Sequence, residues 1–286
     1  MLSIYILGHN GYIGKNLFHF FKKKNIKVKG FSSREQNLLA KNSIKFLQSK
    51  IKNNSILIIC SAIKSTVSNK FDTLTLNNKI IENIAKGIVG KKLKKVIYIS
   101  SCAIYGVDIN HRSINELCAE KPDTFYSISK FYAEKLLKLV VPEKNLIFIR
   151  PTIVYGHNEP VYQSSPSGFL KLLHKKKPIN IWGDGTEIRN FIFIDDLVLK
   201  IYQILKNNFC GKIILSGENS SYLNIIKIIK KTLTKKIVFN SKKRTKKKIN
   251  KTYKSLFEKK LFKNFKITKI SEGLKIILKK DYGYDL

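Results

Sequence analysis

Short apolar runs recur through the first half of the chain, each followed by a stretch whose apolar residues return at helical spacing. The runs Leu2–Leu7, Ile26–Phe31, Ser55–Cys60, Lys95–Ser100 and Asn145–Arg150 are rich in Ile, Val and Phe. They are too short for helices and read as strands of a sheet. Between them, residues 12–24 bring Ile13, Leu17, Phe20 and Phe21 to roughly one face, and residues 74–88 and 126–139 give two further helices. Strand and helix in alternation predict an α/β fold with a doubly wound parallel sheet covered on both faces. The second half is less regular. The stretch YGHNEPVYQSSPSG (155–168) reads as a long surface loop, and the charged tail from Ser241 shows no period. No internal repeat is present.

The first strand runs straight into Gly8, Gly11 and Gly14, a G-x-x-G-x-x-G that also opens the first helix. A dinucleotide site needs this arrangement: a tight turn, close backbone approach to a pyrophosphate, and a helix N-terminus aimed at the phosphates. Gly8, Gly11, Tyr12, Ile13 and Gly14 are the expected cofactor-binding residues of the loop. An acid commonly closes the second strand to hold the ribose hydroxyls of NAD. Here that strand ends GFSSRE, with Ser32, Ser33 and Arg34 at the place of the acid. Hydroxyls and a guanidinium fork suit a 2′-phosphate, so NADP(H) is expected, with NAD(H) as the alternative should Glu35 reach the ribose.

Charge alters this picture less than its size suggests. Lys and Arg number 55 against 19 Asp and Glu, a net charge of +36. Such a field attracts polyanions, yet the lysines are spread along nearly the whole chain, and Asn and Ile are abundant beside them. We read the charge as compositional and expect no nucleic-acid partner; Lys242–Lys251 is the densest run. Cys60, Cys102, Cys118 and Cys210 form no C-x-x-C pair, and the five histidines show no ligand spacing, so neither a disulfide framework nor a metal site is expected. With no leader and no apolar run of membrane length, a cytoplasmic protein without a membrane span is expected.

Tyr126 and Lys130 in YSISK stand four apart on a predicted helix and share a face. A phenol is a poor acid/base near neutrality, and a neighbouring ammonium favours its ionised form. The pair alone is a weak signal. It gains weight from Ser100 and Ser101, which end a strand at the sheet edge where open α/β folds bind ligands, with Ser101 lying 25 residues before Tyr126.

With the glycine loop, YISSCAIYG, YSISK, RPTIVYG and IWGDGTEIRNFIFIDDL in this order, the chain resembles the extended short-chain dehydrogenase/reductase superfamily of nucleotide-sugar epimerases, dehydratases and reductases. The resemblance covers all but about the last 40 residues. It implies a Rossmann-type sheet in residues 1–150, with 186–215 returning to it, and a smaller C-terminal substrate-binding α/β region made of 151–185 and 216–286. It implies Ser101 as the hydroxyl on the reacting sugar oxygen, Tyr126 as acid/base, and Lys130 as the residue that tunes Tyr126 and holds the nicotinamide ribose. Asn77, Cys60, Ala62 and Pro151 would line the cofactor. Arg189 would grip a substrate diphosphate, unless it pairs with Asp195 or Asp196, and Arg244 would be a second clamp. A homodimer is left open.

Within this resemblance the residues after Ser101 discriminate. The dehydratase type carries Asp-Glu there and this chain has Cys102 and Ala103. A double epimerase carries Cys two residues on, where this chain has Ala103. A 4-ketoreductase acting on a nucleotide-linked sugar therefore comes first, a 4-epimerase with retained cofactor second, and a non-catalytic cofactor- or nucleic-acid-binding protein third.

Overall fold

A computed structural model describes residues 3–63, 70–106, 113–160, 165–233, 237–243 and 248–284. The chain forms two compact units. The first comprises residues 1–107, 118–150 and 202–213, and the second residues 108–117, 151–201 and 214–286.

The first unit is built on β1 (Ile4–Leu7), β2 (Val28–Phe31), β3 (Ile56–Ile59), β4 (Lys95–Ile99), β5 (Leu146–Pro151) and the start of β9 (Gly211–Leu215). Its sheet has the order β2-β1-β3-β4-β5-β9. β1 pairs in parallel with β2 on one side, Leu7 opposite Phe31, and with β3 on the other, Leu7 opposite Ile59. The winding direction thus reverses at β1, and the crevice of an open parallel sheet lies at such a reversal, beyond the carboxyl ends of the strands. Gly8 and Cys60 are the first residues past those ends.

Among the described residues four α-helices follow strands in this unit: α1 (Tyr12–Lys23), α2 (Ser43–Lys50), α3 (Phe71–Ile88) and α4 (Phe125–Val140). α1 buries Leu17 and Phe21, one turn apart, and stops at Lys23 ahead of Asn25, whose φ of 54° is incompatible with a continuing helix. Leu47 of α2, Ile81, Ile84 and Ile88 of α3, and Ala133 and Leu137 of α4 close one face of the sheet over Leu57, Val96 and Phe148. α2 was not expected. It is short, and its buried side chains are Ser43 and Leu47 alone, too few to set a period.

Residues 202–213 enter the first unit through a cap. The Lys95 ammonium donates to the carbonyls of Ile204 (3.1 Å), Leu205 (3.2 Å) and Asn207 at the end of α6 (Ile194–Lys206). A cation there meets the last carbonyls and the negative end of the helix dipole.

The second unit holds a three-stranded sheet, β10-β8-β6, made of β6 (Ile153–Tyr155), β8 (Ile188–Phe193) and β10 (Glu218–Ser221). A two-stranded parallel pair joins β7 (Ile179–Trp182) to β11 (Phe239–Lys242). α5 (Pro166–His174), α7 (Tyr222–Leu233), the short α8 (Glu258–Leu261) and α9 (Ile270–Tyr282) complete it, with a core of Tyr155, Phe169, Phe191, Phe193, Ile229 and Leu274 among others. The expected loop 155–168 is shorter than its composition suggests. Pro166 begins α5, and the Ser165 hydroxyl accepts from the Gly168 N–H at 2.9 Å. Proline in the first turn behind a serine cap starts a helix, although Pro, Ser and Gly together read as a loop. Among the described residues no helix is long and apolar enough to cross a membrane.

Candidate active site

Gly8 has φ +79°, the left-handed region that favours glycine. Its N–H donates to Phe31 O at 2.7 Å, and its carbonyl accepts from Gly11 N–H at 3.0 Å. A Cβ at Gly14 would lie 2.3 Å from Gly8 O, and one at Gly8 would lie 2.9 Å from the Ser61 nitrogen. Gly11, the N-cap of α1, offers no side chain to that helix, and its first turn holds no acid. The result is a bare cradle at the positive end of a helix dipole, and the residues present fit a dinucleotide pyrophosphate. A second feature lies at the same carboxyl edge of the sheet. Ser100, at the end of β4, is buried and its hydroxyl has no hydrogen-bond partner.

Past β2 the arrangement differs from the sequence expectation in one respect. Ser32 is buried, and its N–H (2.8 Å) and hydroxyl both donate to the Glu35 carboxylate. Those bonds, the hydroxyl's first, hold Glu35 below the usual carboxylate range, and the His9 imidazole adds to the effect. Ser32 therefore shapes the turn, while Ser33 and Arg34 stay exposed. His9 was not singled out in the sequence. Gly30 leaves room for its ring, since a Cβ there would lie 2.3 Å from it, and His9 Nδ1 has no hydrogen-bond partner. The signal was a glycine in mid-strand, where close approach of another group is the usual cause.

Cys60 and Ala62 follow β3 half-buried, and Cys60 N–H donates to Leu7 O at 2.9 Å. Asn77, buried on α3, clamps the same loop. Its Oδ1 accepts from Ile63 N–H at 2.7 Å, and its Nδ2 donates to Ile63 O at 3.0 Å and to the Ser129 hydroxyl at 3.3 Å. One amide side chain thus ties the loop after β3 to α4.

α4 is fixed at its first turn by a reciprocal cap: Ser127 N–H donates to Thr124 Oγ1 at 3.1 Å, and Thr124 N–H donates to Ser127 Oγ at 2.9 Å. Tyr126 lies in that turn. Lys130, 3% exposed, donates to Ile99 O at 2.7 Å. Its ammonium lies 4.6 Å from the ring centroid of Tyr98 and 5.7 Å from that of Tyr126. Burial above all, and then the charges of Tyr126 and Glu134, push the Tyr98 phenol well up. Tyr98 thus stays neutral, and Tyr126 is the phenol of the two that is only half-buried.

Ser101 follows directly on β4 and Ser100. It is extended (φ −162°, ψ 146°), and its hydroxyl accepts from Ala103 N–H at 3.1 Å, capping the short turn Cys102–Tyr105. Cys102 is 3% exposed and donates its thiol to Arg150 O at 3.2 Å. Its side chain is committed to the interior. Gly106, with φ +74°, lets residue 121 pass; a Cβ there would lie 2.1 Å from Lys121 O.

The remaining expected residues belong to the second unit. Pro151 closes β5 and is buried. Arg189 pairs with Glu187 at 2.9 Å and donates to Ile188 O (2.9 Å) and Ile249 O (2.6 Å). Its expected alternative partners are engaged elsewhere: Asp195 with His157 and Lys280, and Asp196 with Thr268. Arg244 lies outside the described residues. Among those residues no His/Cys/Asp/Glu group is arranged to hold a metal.

The profile of the NAD dependent epimerase/dehydratase family matches residues 4–215. The chain is 29% identical over 260 residues to dTDP-D-glucose 4,6-dehydratase of Dictyostelium discoideum, covering 78% of this chain but only 60% of that protein. It is 27% identical over 209 residues to GDP-6-deoxy-D-talose 4-dehydrogenase of Aggregatibacter actinomycetemcomitans, covering 71% and 70% of the two chains. Its fold is similar to that of UDP-glucuronic acid 4-epimerase from Bacillus cereus in complex with NAD, with a TM-score of 0.82 at 22% identity over 98% of this chain and 100% of that one.

Proposed function

The chain belongs to the NAD dependent epimerase/dehydratase family, and we propose that it catalyses NADPH-dependent reduction of a nucleotide-linked 4-keto sugar. The observation that carries this reading is the turn after Ser101. Cys102 points inward to Arg150 O and Ala103 has no polar side chain, so neither supplies a second acid or base beside Tyr126. Dehydration and double epimerisation each need such a group at a neighbouring sugar carbon. A proton moved at a single oxygen needs only Tyr126.

The nicotinamide, when bound, supplies hydride to one sugar carbon. Gly8, Gly11 and Gly14 would hold its pyrophosphate, with Tyr12 and Ile13 opening the helix above it. Cys60, Ala62 and Asn77 line its loop, and Pro151 follows β5. The Tyr126 hydroxyl donates a proton to the sugar oxygen, Ser101 holds that oxygen by a hydrogen bond, and the Lys130 ammonium stabilises the phenolate left behind. The capped first turn of α4 fixes where that proton is delivered.

The test is an assay with 4-keto and 4-hydroxy sugars linked to UDP, GDP and dTDP. Oxidation of NADPH by a keto sugar supports reduction. Interconversion of two hydroxy sugars without net cofactor use supports 4-epimerisation. That second reading is favoured by one observation, the Glu35 carboxylate turned back onto Ser32 just beyond β2, where an acid suits the ribose of a retained NAD.

Cofactor choice rests on the same turn. Exposed Ser33 and Arg34 support a 2′-phosphate. NADPH is expected to bind more tightly than NADH, and Arg34→Ala to narrow the gap by about 1–3 kcal/mol, the worth of a charged hydrogen bond. Equal affinities in the unaltered protein would overturn the NADP(H) reading.

Arg189 is proposed to meet the substrate diphosphate through guanidinium donors that turn from Glu187. Arg189→Ala is then expected to raise KM for the nucleotide sugar and leave cofactor affinity unchanged. A loss of stability with an unchanged KM would reduce Arg189 to a tie between β8 and residue 249.

A further inference from the structure

Arg150, on β5, is 1% exposed and among the largest fully buried side chains. Its guanidinium is engaged on three sides. Nε and Nη2 donate to the two oxygens of Glu134 at 3.0 and 2.6 Å, Nη1 to the Tyr105 hydroxyl at 2.8 Å, and Nη2 also to Glu120 at 2.9 Å. Glu120 takes a second cation, Lys212, at 2.8 Å, and these partners hold its carboxyl down at about 2 against the opposing effect of burial. Two cations and two carboxylates thus close a neutral cluster.

Glu134 is 4% exposed and stands on α4 four residues after Lys130, which itself stands four after Tyr126. Side chains at that spacing are neighbours on one helix face, and opposite charges there attract. A Glu134 carboxylate without Arg150 would be a buried anion one turn from the Lys130 ammonium, and an unpaired buried charge draws the nearest counter-charge strongly. We propose that Arg150 is a positioning residue that occupies Glu134 and so leaves the Lys130 ammonium on Ile99 O, between the rings of Tyr98 and Tyr126, rather than drawn to Glu134. The groups facing Lys130 are Tyr126 and Glu134 from its own helix and Tyr98 from β4. Behind Glu134 stand Arg150 from β5, Tyr105 from the turn after Ser101, Glu120 from the segment before α4, and Lys212 from β9. The same residue also steadies the serine turn, since its guanidinium holds Tyr105 and its carbonyl accepts from Cys102.

The inference rests on the Tyr126–Lys130 reading above, but its test needs no sugar. The ionisation of Tyr126 is titrated by phenolate absorbance, taken as the difference between each protein and the same protein carrying Tyr126→Phe. Arg150→Met is expected to raise the Tyr126 titration by about one pH unit, as a cation is drawn away. Glu134→Gln is expected to leave it close to that of the unaltered protein. The double variant Arg150→Met with Glu134→Gln is expected to restore it, because no carboxylate then competes for Lys130. A simple brace between β5 and α4 predicts the reverse order: both single variants disturb Tyr126 and the double variant rescues nothing. That result, or an unmoved titration in Arg150→Met, overturns the proposal. Should Arg150→Met fail to fold, Arg150→Lys, which keeps the charge and loses the fork, is expected to give a smaller upward shift that Glu134→Gln again reverses; no shift in a folded Arg150→Lys overturns it equally. Far-ultraviolet circular dichroism and the melting temperature report that each variant is folded. Absence of turnover on every sugar tried would count against the proposed substrate class, while the Tyr126 titration alone decides the role of Arg150.

Discussion

Tyr126→Phe is expected to lower turnover on the order of 10²–10⁴-fold, the usual worth of a positioned proton donor, with folding and cofactor affinity nearly unchanged. The ring remains, so its packing on the first turn of α4 remains, and the reciprocal cap between Thr124 and Ser127 does not involve the phenol. What is lost is one hydroxyl beside Lys130. Ser101→Ala is expected to cost less, because it removes a hydrogen bond and not the proton. Lys130→Met is expected to reduce both turnover and cofactor binding, and to weaken the fold as well, since a buried ammonium donating to Ile99 O is replaced. The order of the three effects on kcat, with the melting temperature of each variant alongside, is the measurement. Full activity in Tyr126→Phe would sink the assignment of the site.

Gly14→Ala is expected to weaken NADPH binding at least about 30-fold, equivalent to roughly 2 kcal/mol. The added methyl carbon would sit 2.3 Å from Gly8 O and 3.0 Å from the Cα of His9. Both are backbone atoms of the phosphate loop, so relief requires moving the loop or lifting α1 away from it. Either change takes the helix N-terminus from the place where the pyrophosphate would rest. Gly11→Ala should cost less, because its Cβ would meet Gly8 O at 3.2 Å, close enough to be relieved by a small shift. Fluorescence titration with NADPH gives both numbers. Unchanged affinity in Gly14→Ala would mean that the glycine loop does not hold the cofactor.

The parts of the molecule that are legible in the chain are those whose cause is local. β1 and β3 are buried and read as unbroken apolar runs, and β4 and β5 read the same way apart from Lys95 and Arg150. Tyr126 and Lys130 share a helix face by spacing alone, and Ser101 is placed by the end of β4. The rest depends on pairings that no period encodes. Arg150 reads as the last residue of a strand, because its partners Glu134, Glu120 and Tyr105 come from three separate segments. Ser32 reads as a phosphate ligand, because nothing in GFSSRE says that Glu35 folds back upon it. Arg189 did carry a usable signal. Glu187 lies two residues before it, and residues two apart in extended chain point the same way, so Glu187 was a better partner on geometry than Asp195 or Asp196.

The Lys95 cap bears on how the protein is made. β4 and β5 leave the ribosome well before residues 204–207, whose carbonyls the Lys95 ammonium holds, and before β9, which pairs with β5. During synthesis the sheet therefore waits with one lysine unmet and the outer edge of β5 open, the kind of edge that recruits strands from other chains. The net charge of +36 opposes that recruitment, because copies of like charge repel one another.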